Sequence, residues 1–411
     1  MKSILTSAHV QDHAAGLVQQ HLRLKDYKDS CPASCLVAIL FTACCRAISF
    51  SAACKSLPNA PSHETARKAL LFNLYDGPDG DDPDRLRRRL ERALGHCITR
   101  PLRRLLRRRR HRIACDLTLR PYHGQPCSDD NEVVRGQAKS GTTHFHAYAT
   151  AYLVLRGERF TLALRYVRAD DKTEVVLRGL MQRCAQLGVR PKVVLLDRGY
   201  WKVAVIRYLQ AARYPFAMPV ITRGRKPSHP KGPSGTRVFQ TWNKGGYADY
   251  TLQETGRKGR KARVRIAVYL RYRKGRRGKR GKERLAYAFW GWQPGSVRKL
   301  HEDYRLRFGI ESSYRQMNEG RARTCTRDPQ WRLLLIGLAL LLRNVWVWLH
   351  HEVLSSPRRG RRRYNPERLP FKRLLKWLEH EAEKALGCLD TIAYDRPPPQ
   401  ELLPSPCQGR P

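Results

Sequence analysis

Acidic residues are scarce in this chain of 411 residues: 35 Asp and Glu stand against 80 Lys and Arg, a formal charge of +45. A GC-rich genome favours arginine codons and accounts for part of that excess, but hardly for a surplus of this size. Such a balance says little about fold and much about partners, and a polyanion is the natural one. Other signals are missing too. No Cys-x-x-Cys pair occurs among the twelve cysteines, and Cys31 and Cys35 have no matching Cys/His pair at zinc-finger spacing. Several cysteines lie in apolar runs and read as small core residues, which fits a reduced, cytosolic compartment. The first residues lack the apolar run of a signal peptide. The longest apolar run, Leu333 to Leu342, is broken by Arg343 and Asn344; it is too short for a membrane span and predicts a buried helix. With no membrane segment, nucleic acid is the first choice of polyanion. There is no G-x-x-x-x-G-K-[ST] phosphate loop and no internal repeat.

What is present divides the chain into five stretches. Residues 1–110 read as helical. A helix, a turn (Pro58 to Ser62) and a second helix from His63 to Leu71, with Ser62 as N-cap, resemble a DNA-reading helix-turn-helix, although spacing alone favours an ordinary helical hairpin. Asp76 to Pro83 is a turn-rich acidic linker, and Arg85 to Arg112 is studded with arginines whose sign suits phosphates. Residues 111–220 change to strands. Ile113, Cys115, Leu117 and Leu119 alternate with more polar residues, and Asp116, a poor strand former, stands among them. Thr143 to Leu155 and Arg159 to Val167 follow, joined by a hairpin turn at Arg156-Gly157-Glu158. A helix over Lys172 to Leu187 comes next, then an apolar run from Val193 that stops at Asp197, a helix over Trp201 to Ala211 and a short strand over Tyr214 to Met218. Three strands, helix, strand, helix, strand is the order of an RNase H-like core: an antiparallel meander extended by parallel strands.

Residues 221–297 read as an inserted β-rich, basic subdomain, with strands over Val238–Trp242, Tyr247–Leu252, Arg263–Tyr272 and Arg284–Trp292 and a flexible basic loop from Arg271 to Lys282. Residues 298–352 return to helices. Residues 353–411 hold a basic loop (Arg358 to Arg363), an amphipathic helix near Phe371 to Leu386 and a Pro-rich tail.

Three carboxylates stand out. Asp197 closes a strand that reads as buried on both faces, and ligand sites in open α/β sheets lie outside the carboxyl ends of such strands; a lone Asp there is more often a helix cap. Asp116 sits on the first strand. Glu311 lies in a helix expected over His301 to Asn318, where Tyr304, Arg307, Glu311 and Asn318 fall within an arc of roughly 60°, opposite an apolar side of Leu306, Ile310 and Met317. For an isolated helix that polar side is ordinarily just solvated. His123, His144 and His146 lie near the first acid and read as satisfied polar groups rather than ligands.

These residues resemble the DDE transposases of prokaryotic insertion sequences, over roughly residues 110 to 350. Tyr304, Arg307 and Glu311 match the helix signature Y-x2-R-x3-E-x6-K of one large group in type and spacing, with Asn318 standing where the Lys belongs. Leu195-Leu196-Asp197-Arg198-Gly199-Tyr200 resembles the group's second motif and Asp116-Leu117-Thr118 its first, and a β-rich insertion before the Glu is like the group as well. The resemblance implies that Asp116, Asp197 and Glu311 are catalytic and hold two Mg²⁺ ions, with Mn²⁺ as a substitute and Asp197 bridging the pair; hard oxygen ligands suit such ions, and paired metals about 4 Å apart serve phosphodiester chemistry. Hydrolysis would free a 3′-OH that then attacks target DNA. Tyr304 and Arg307 would grip phosphates near the element's end, Arg315 would supply the charge that Asn318 lacks, and Arg198 and Tyr200 would add DNA contacts. The partners implied are double-stranded DNA, as terminal inverted repeats and as target, and a second copy of the chain in the DNA complex, with no membrane and a cytoplasmic, nucleoid-associated location. An RNase H-fold nuclease without strand transfer, and a DNA-binding relic without catalysis, are the alternatives.

Overall fold

Strands form where the sequence alternates or runs apolar between turn residues. The computed structural model describes residues 4–75, 84–126, 129–155, 159–254, 259–272, 281–356 and 364–389. The acidic linker, the Arg156–Glu158 turn, most of the Arg271–Lys282 loop, the Arg358–Arg363 loop and the Pro-rich tail lie outside the described residues. Among the described residues nine strands share one sheet in the order β2 (Val134–Lys139), β3 (Thr142–Val154), β1 (Arg110–Pro121), β5 (Arg190–Leu196), β6 (Phe216–Pro219), β9 (Lys282–Trp290), β8 (Lys261–Tyr272) and β7 (Gly246–Gln253), with β4 (Arg159–Val167) also paired to β3. β1 and β3 are antiparallel, while β1, β5 and β6 run parallel. This is the meander extended by parallel strands that the element order predicts. β5 has a parallel neighbour on each side, so Val193 to Leu196 are all buried, which is why that strand reads as an unbroken apolar run.

Two strand expectations change. β2 was not foreseen: it is a short edge strand with mostly exposed residues, and a strand with neither face buried carries no apolar alternation. Val238–Trp242 is not a strand; residues Gly235–Gln240 wind into a tight 3₁₀ turn, held by the Thr236 hydroxyl, which donates to the Ile221 carbonyl at 2.7 Å and accepts from the Arg223 amide at 2.7 Å. The insertion also continues the sheet. β9 pairs antiparallel with β6, so β7, β8 and β9 extend the core rather than forming a separate layer.

Helices cover the sheet. α5 (Arg85–His96) and α7 (Thr173–Gln186) pack on β4, and α8 (Val203–Ala211) crosses from β5 to β6. α11 (Pro329–Trp348) is long and apolar enough by composition to cross a membrane, yet it is buried against α5 and β4, as the broken apolar run predicts. Gly337 on α11 leaves room for Leu90, and Asn344 bonds the edge of β4, accepting from the Thr161 amide and donating to the Thr161 carbonyl, each at 2.9 Å. At the N-terminal side, α1 (Ser7–Leu22) and the mostly apolar α2 (Ala33–Cys45) pack with α12 (Phe371–Leu386), where Arg46 meets Glu379 and Glu383. α3 (Phe50–Lys55) and α4 (His63–Tyr75) form the predicted hairpin, with the Ser62 hydroxyl accepting the Thr65 amide at 3.2 Å as the N-cap. The described cysteines are free thiols, most of them buried.

Candidate active site

Two adjacent parallel strands bring two of the acids together. Cys115 on β1 pairs with Leu196 on β5, so Asp116 and Asp197 each follow directly after a paired residue. Asp116 is 8% exposed; the Asp197 side chain, past the end of β5, is 46% exposed. A basic group lies between them. Arg307 places Nη1 3.3 Å from Asp116 Oδ2 and Nη2 3.7 Å from Asp197 Oδ1, and its Nε donates to the Tyr304 hydroxyl at 2.9 Å. That hydroxyl donates in turn to the Leu196 carbonyl at 3.2 Å, so the end of β5 fixes the tyrosine and the tyrosine fixes the arginine. Phe308 lies under the guanidinium at 5.4 Å from its ring centre. Burial works against charge on Arg307, but Tyr304, Asp116 and Asp197 more than offset it and hold its pKa above the usual value.

Burial pushes the Asp116 carboxyl up to about 6, opposed by Arg307 and by the Leu117 amide at 3.0 Å, and reinforced by the negative charges of Asp197 and Glu311. Glu311 therefore acts on the same field as the two aspartates. It stands in the first turn of α10 (Gly309–Glu319), with its side chain exposed.

The helix that carries the signature is not continuous. α9 (Val297–Arg305) ends in a 3₁₀ turn at Leu306–Phe308 before α10 starts. The tighter turn changes the rotation per residue, so a single 100° wheel fails across it. Ile310 and Met317 are buried as expected, but Leu306, assigned to the apolar side, is 37% exposed, while Tyr304 and Arg307 from the polar side are buried. Arg315, Asn318 and Arg198 are exposed, and Tyr200 lies in the interior at 4% exposed. The structure thus gathers Asp116, Asp197, Tyr304 and Arg307 into contact, keeps Glu311 within electrostatic range of Asp116, and leaves Arg198, Arg315 and Asn318 facing solvent. Among the described residues no group of three or more His, Cys, Asp or Glu side chains stands close enough to hold an ion.

Other residues shape the site without a sequence signal. A cleft of about 280 Å³ opens beside Asp197 and Arg307, and the insertion contributes Gln240, Arg271 and Arg284 to its wall; Asp116 and Glu311 lie outside that lining. The basic composition of the insertion hinted at this, but not which of its arginines fold back. Tyr314, one turn after Glu311, shares a hydrogen bond of 2.6 Å with Thr150, the residue paired to Asp116 across β1 and β3. Arg112 on β1 meets Asp303 on α9 at 2.8 Å. His146 is buried with Nδ1 3.2 Å from the Tyr166 hydroxyl, but its Nε2 is buried without a hydrogen-bond partner among the described residues, so the ring is only half satisfied; burial pushes its pKa down to about 4. His123 and His144 line a separate cleft near Tyr122.

A mixed sheet of this order, with two acids at the point where its neighbouring parallel strands part, is an RNase H-like catalytic core. Residues 107–345, more than half of the chain, match the model of the transposase DDE domain, and the chain belongs to that family and is a transposase. The solved structure of a piggyBac transposase synaptic complex with hairpin DNA shares the fold at a TM-score of 0.53 and 10% sequence identity, over 94% of this chain and 81% of that one. No curated protein sequence matches the chain.

Proposed function

We propose that this transposase binds the ends of an insertion sequence, cleaves them by Mg²⁺-dependent phosphodiester hydrolysis and joins the 3′-OH to target DNA, with Asp116, Asp197 and Glu311 as the catalytic acids. The observation that carries this reading is the pair of carboxylates where β1 and β5 part, Asp116 within β1 and Asp197 just past β5, sharing one buried cation and repelled further by Glu311. Such a set is incomplete without positive charge. The donors are hard oxygens, one of them half exposed and open to the cleft, which fits a divalent metal ion once Arg307 yields its place. Asp116, Asp197 and Glu311 would hold the ions, and when bound the ions neutralise phosphate charge and favour attack at phosphorus.

The chain's own residues do the rest. Tyr304 tethers Arg307 Nε beside the end of β5, so a guanidinium released from the aspartates would stay within reach of a phosphate there. Arg198, Arg271, Arg284 and Arg305 line the cleft with donors for the DNA backbone, and a fork of guanidinium donors gives directional grip. Arg315 and Asn318 continue this reach along α10. Double-stranded DNA is the partner that the +45 charge favours, and a homodimer in the cell's nucleoid is the working form. The DNA in the piggyBac complex supports the same choice of partner.

The test is Asp197→Ala. End binding persists while strand cleavage in Mg²⁺ vanishes. Full cleavage by that variant removes the proposal, and cleaved ends that never join plasmid DNA identify a nuclease instead.

A further inference from the structure

Asp116, midway along β1, and Asp197, just past β5, mark where these strands part; the starts of the same two strands carry a second, unassigned constellation. Arg110 opens β1 and pairs with Arg190, which opens β5. Between these strand starts and the turns that follow α7 and α8 lies an open cleft of about 450 Å³, lined by Arg107, Arg110, Arg190 and Arg213. Arg107 comes from the last turn of α6 (Arg100–Arg108), and its stem lies over Gly188, whose φ of +77° and lack of a side chain let it approach; a Cβ there would stand 2.8 Å from Arg107 Cγ. Arg213 is held at φ +53° in the turn after α8, where an arginine is strained by about 1 kcal/mol and a glycine would be at ease.

All four arginines are exposed, and among the described residues none of their side chains has a hydrogen bond or ion pair. Cations near helix C-termini ordinarily complement the helix dipole. Here four guanidiniums converge at the ends of two helices, and none bonds a terminal carbonyl. Each leaves a full fork of donors for an anion. Beyond Gln186 at the end of α7 the surface continues into a second basic cleft that includes Arg92, Arg165 and Arg183. β5 has seven residues, so the arginine pole and Asp197 are separated by roughly 20 Å along the strand.

We propose that this pole is a second binding site for duplex DNA, held through its phosphates and without base reading, and that it engages a segment other than the one cut at the carboxylates. The inference rests on the reading of the chain as DNA-binding but not on the identity of its catalytic acids. Four guanidinium forks lining one cleft suit the phosphates of a polynucleotide backbone, and the pole stands at the opposite end of β5 from Asp197.

The experiment measures binding of the full chain to a 20-base-pair duplex of arbitrary sequence by fluorescence anisotropy across a salt series, without divalent metal. The quadruple variant Arg107→Gln, Arg110→Gln, Arg190→Gln and Arg213→Gln is compared with wild type and with a control, Arg67→Gln, Arg263→Gln, Arg298→Gln and Arg373→Gln, that removes the same charge from exposed positions elsewhere. Each lost phosphate contact lowers the slope of log K against log salt by about 0.9, so the pole variant, losing four, is expected to lose about 3.6 units of slope and the control less than about 1. The assay contains no divalent metal and no cleavage, so its outcome does not depend on the catalytic reading. Hydrogen exchange shows whether duplex protects residues 185–191 in wild type and not in the pole variant. Equal slopes for pole and control variants, or no protection at 185–191, overturn the proposal. Loss of polyglutamate binding with duplex binding intact also overturns it, and marks an acidic protein as the partner.

Discussion

Replacing Asp116 with Asn tests the electrostatics of the site without DNA. The Asp116 carboxyl is raised from 3.8 to about 6 in the folded chain, chiefly by burial. A shift of about 2 units corresponds to about 3 kcal/mol of disfavour for the charged form. The unfolded chain releases this proton first. The group's contribution is therefore intact below pH 4, falls as the pH rises through 4 to 6, and is fully lost above that. Asn has nearly the same shape and no charge. In buffer with chelator, urea unfolding of wild type and Asp116→Asn should coincide near pH 4 and diverge as the pH rises, with the variant more stable by ~1–3 kcal/mol at pH 7.5, or roughly 3 °C in melting temperature for a chain of this length. Subtracting the two curves removes the histidines and every other titrating group they share. Magnesium should close the gap by supplying the charge that the wild-type carboxyl lacks. An Asn variant that tracks wild type at every pH, or is less stable at pH 7.5, refutes the reasoning.

Two other substitutions probe the support of the site. Arg307→Gln removes the cation from a carboxylate that is almost buried; the expected loss is about 2–4 kcal/mol at pH 7.5, discounted for the half-exposed Asp197, and smaller at pH 5 where Asp116 is protonated, read by the same unfolding assay. Asn344→Leu leaves the Thr161 amide and carbonyl unpartnered at the inner edge of β4 and should cost about 2–4 kcal/mol, with amide exchange at Thr161 accelerated; an unchanged exchange rate would show that the strand holds its own edge.

The parts of this structure that were legible in the sequence are those set by periodicity. β5 announced itself because a strand with parallel neighbours must be apolar throughout, and Asp197 stood out as the place where that rule stops. Asp116 was visible as an acid in an alternating strand. Less legible were features decided by partners distant in sequence. β2 has no buried face, so nothing in its residues marks it. The insertion's strands were found, but that they prolong the core sheet depends on the pairing of β9 with β6. Tyr304 and Arg307 stand out by spacing, while their burial depends on the Leu196 carbonyl and the two aspartates, which spacing cannot weigh. The three-residue turn after Arg305 defeated the helical wheel because a Leu-Arg-Phe segment has no breaker residue to signal it.

That turn divides responsibility for the site between two supports. α9 rests on the insertion: His301 bonds the Tyr287 hydroxyl at 2.8 Å and stacks on Tyr269. α10 rests on the meander through Tyr314 and Thr150. Trimming residues 221–297 to obtain a smaller enzyme would therefore not be a neutral excision. Glu311 would keep its footing while Arg307 lost the bed beneath its helix, and the four residues of β6 would present a bare rim to the next chain that met them.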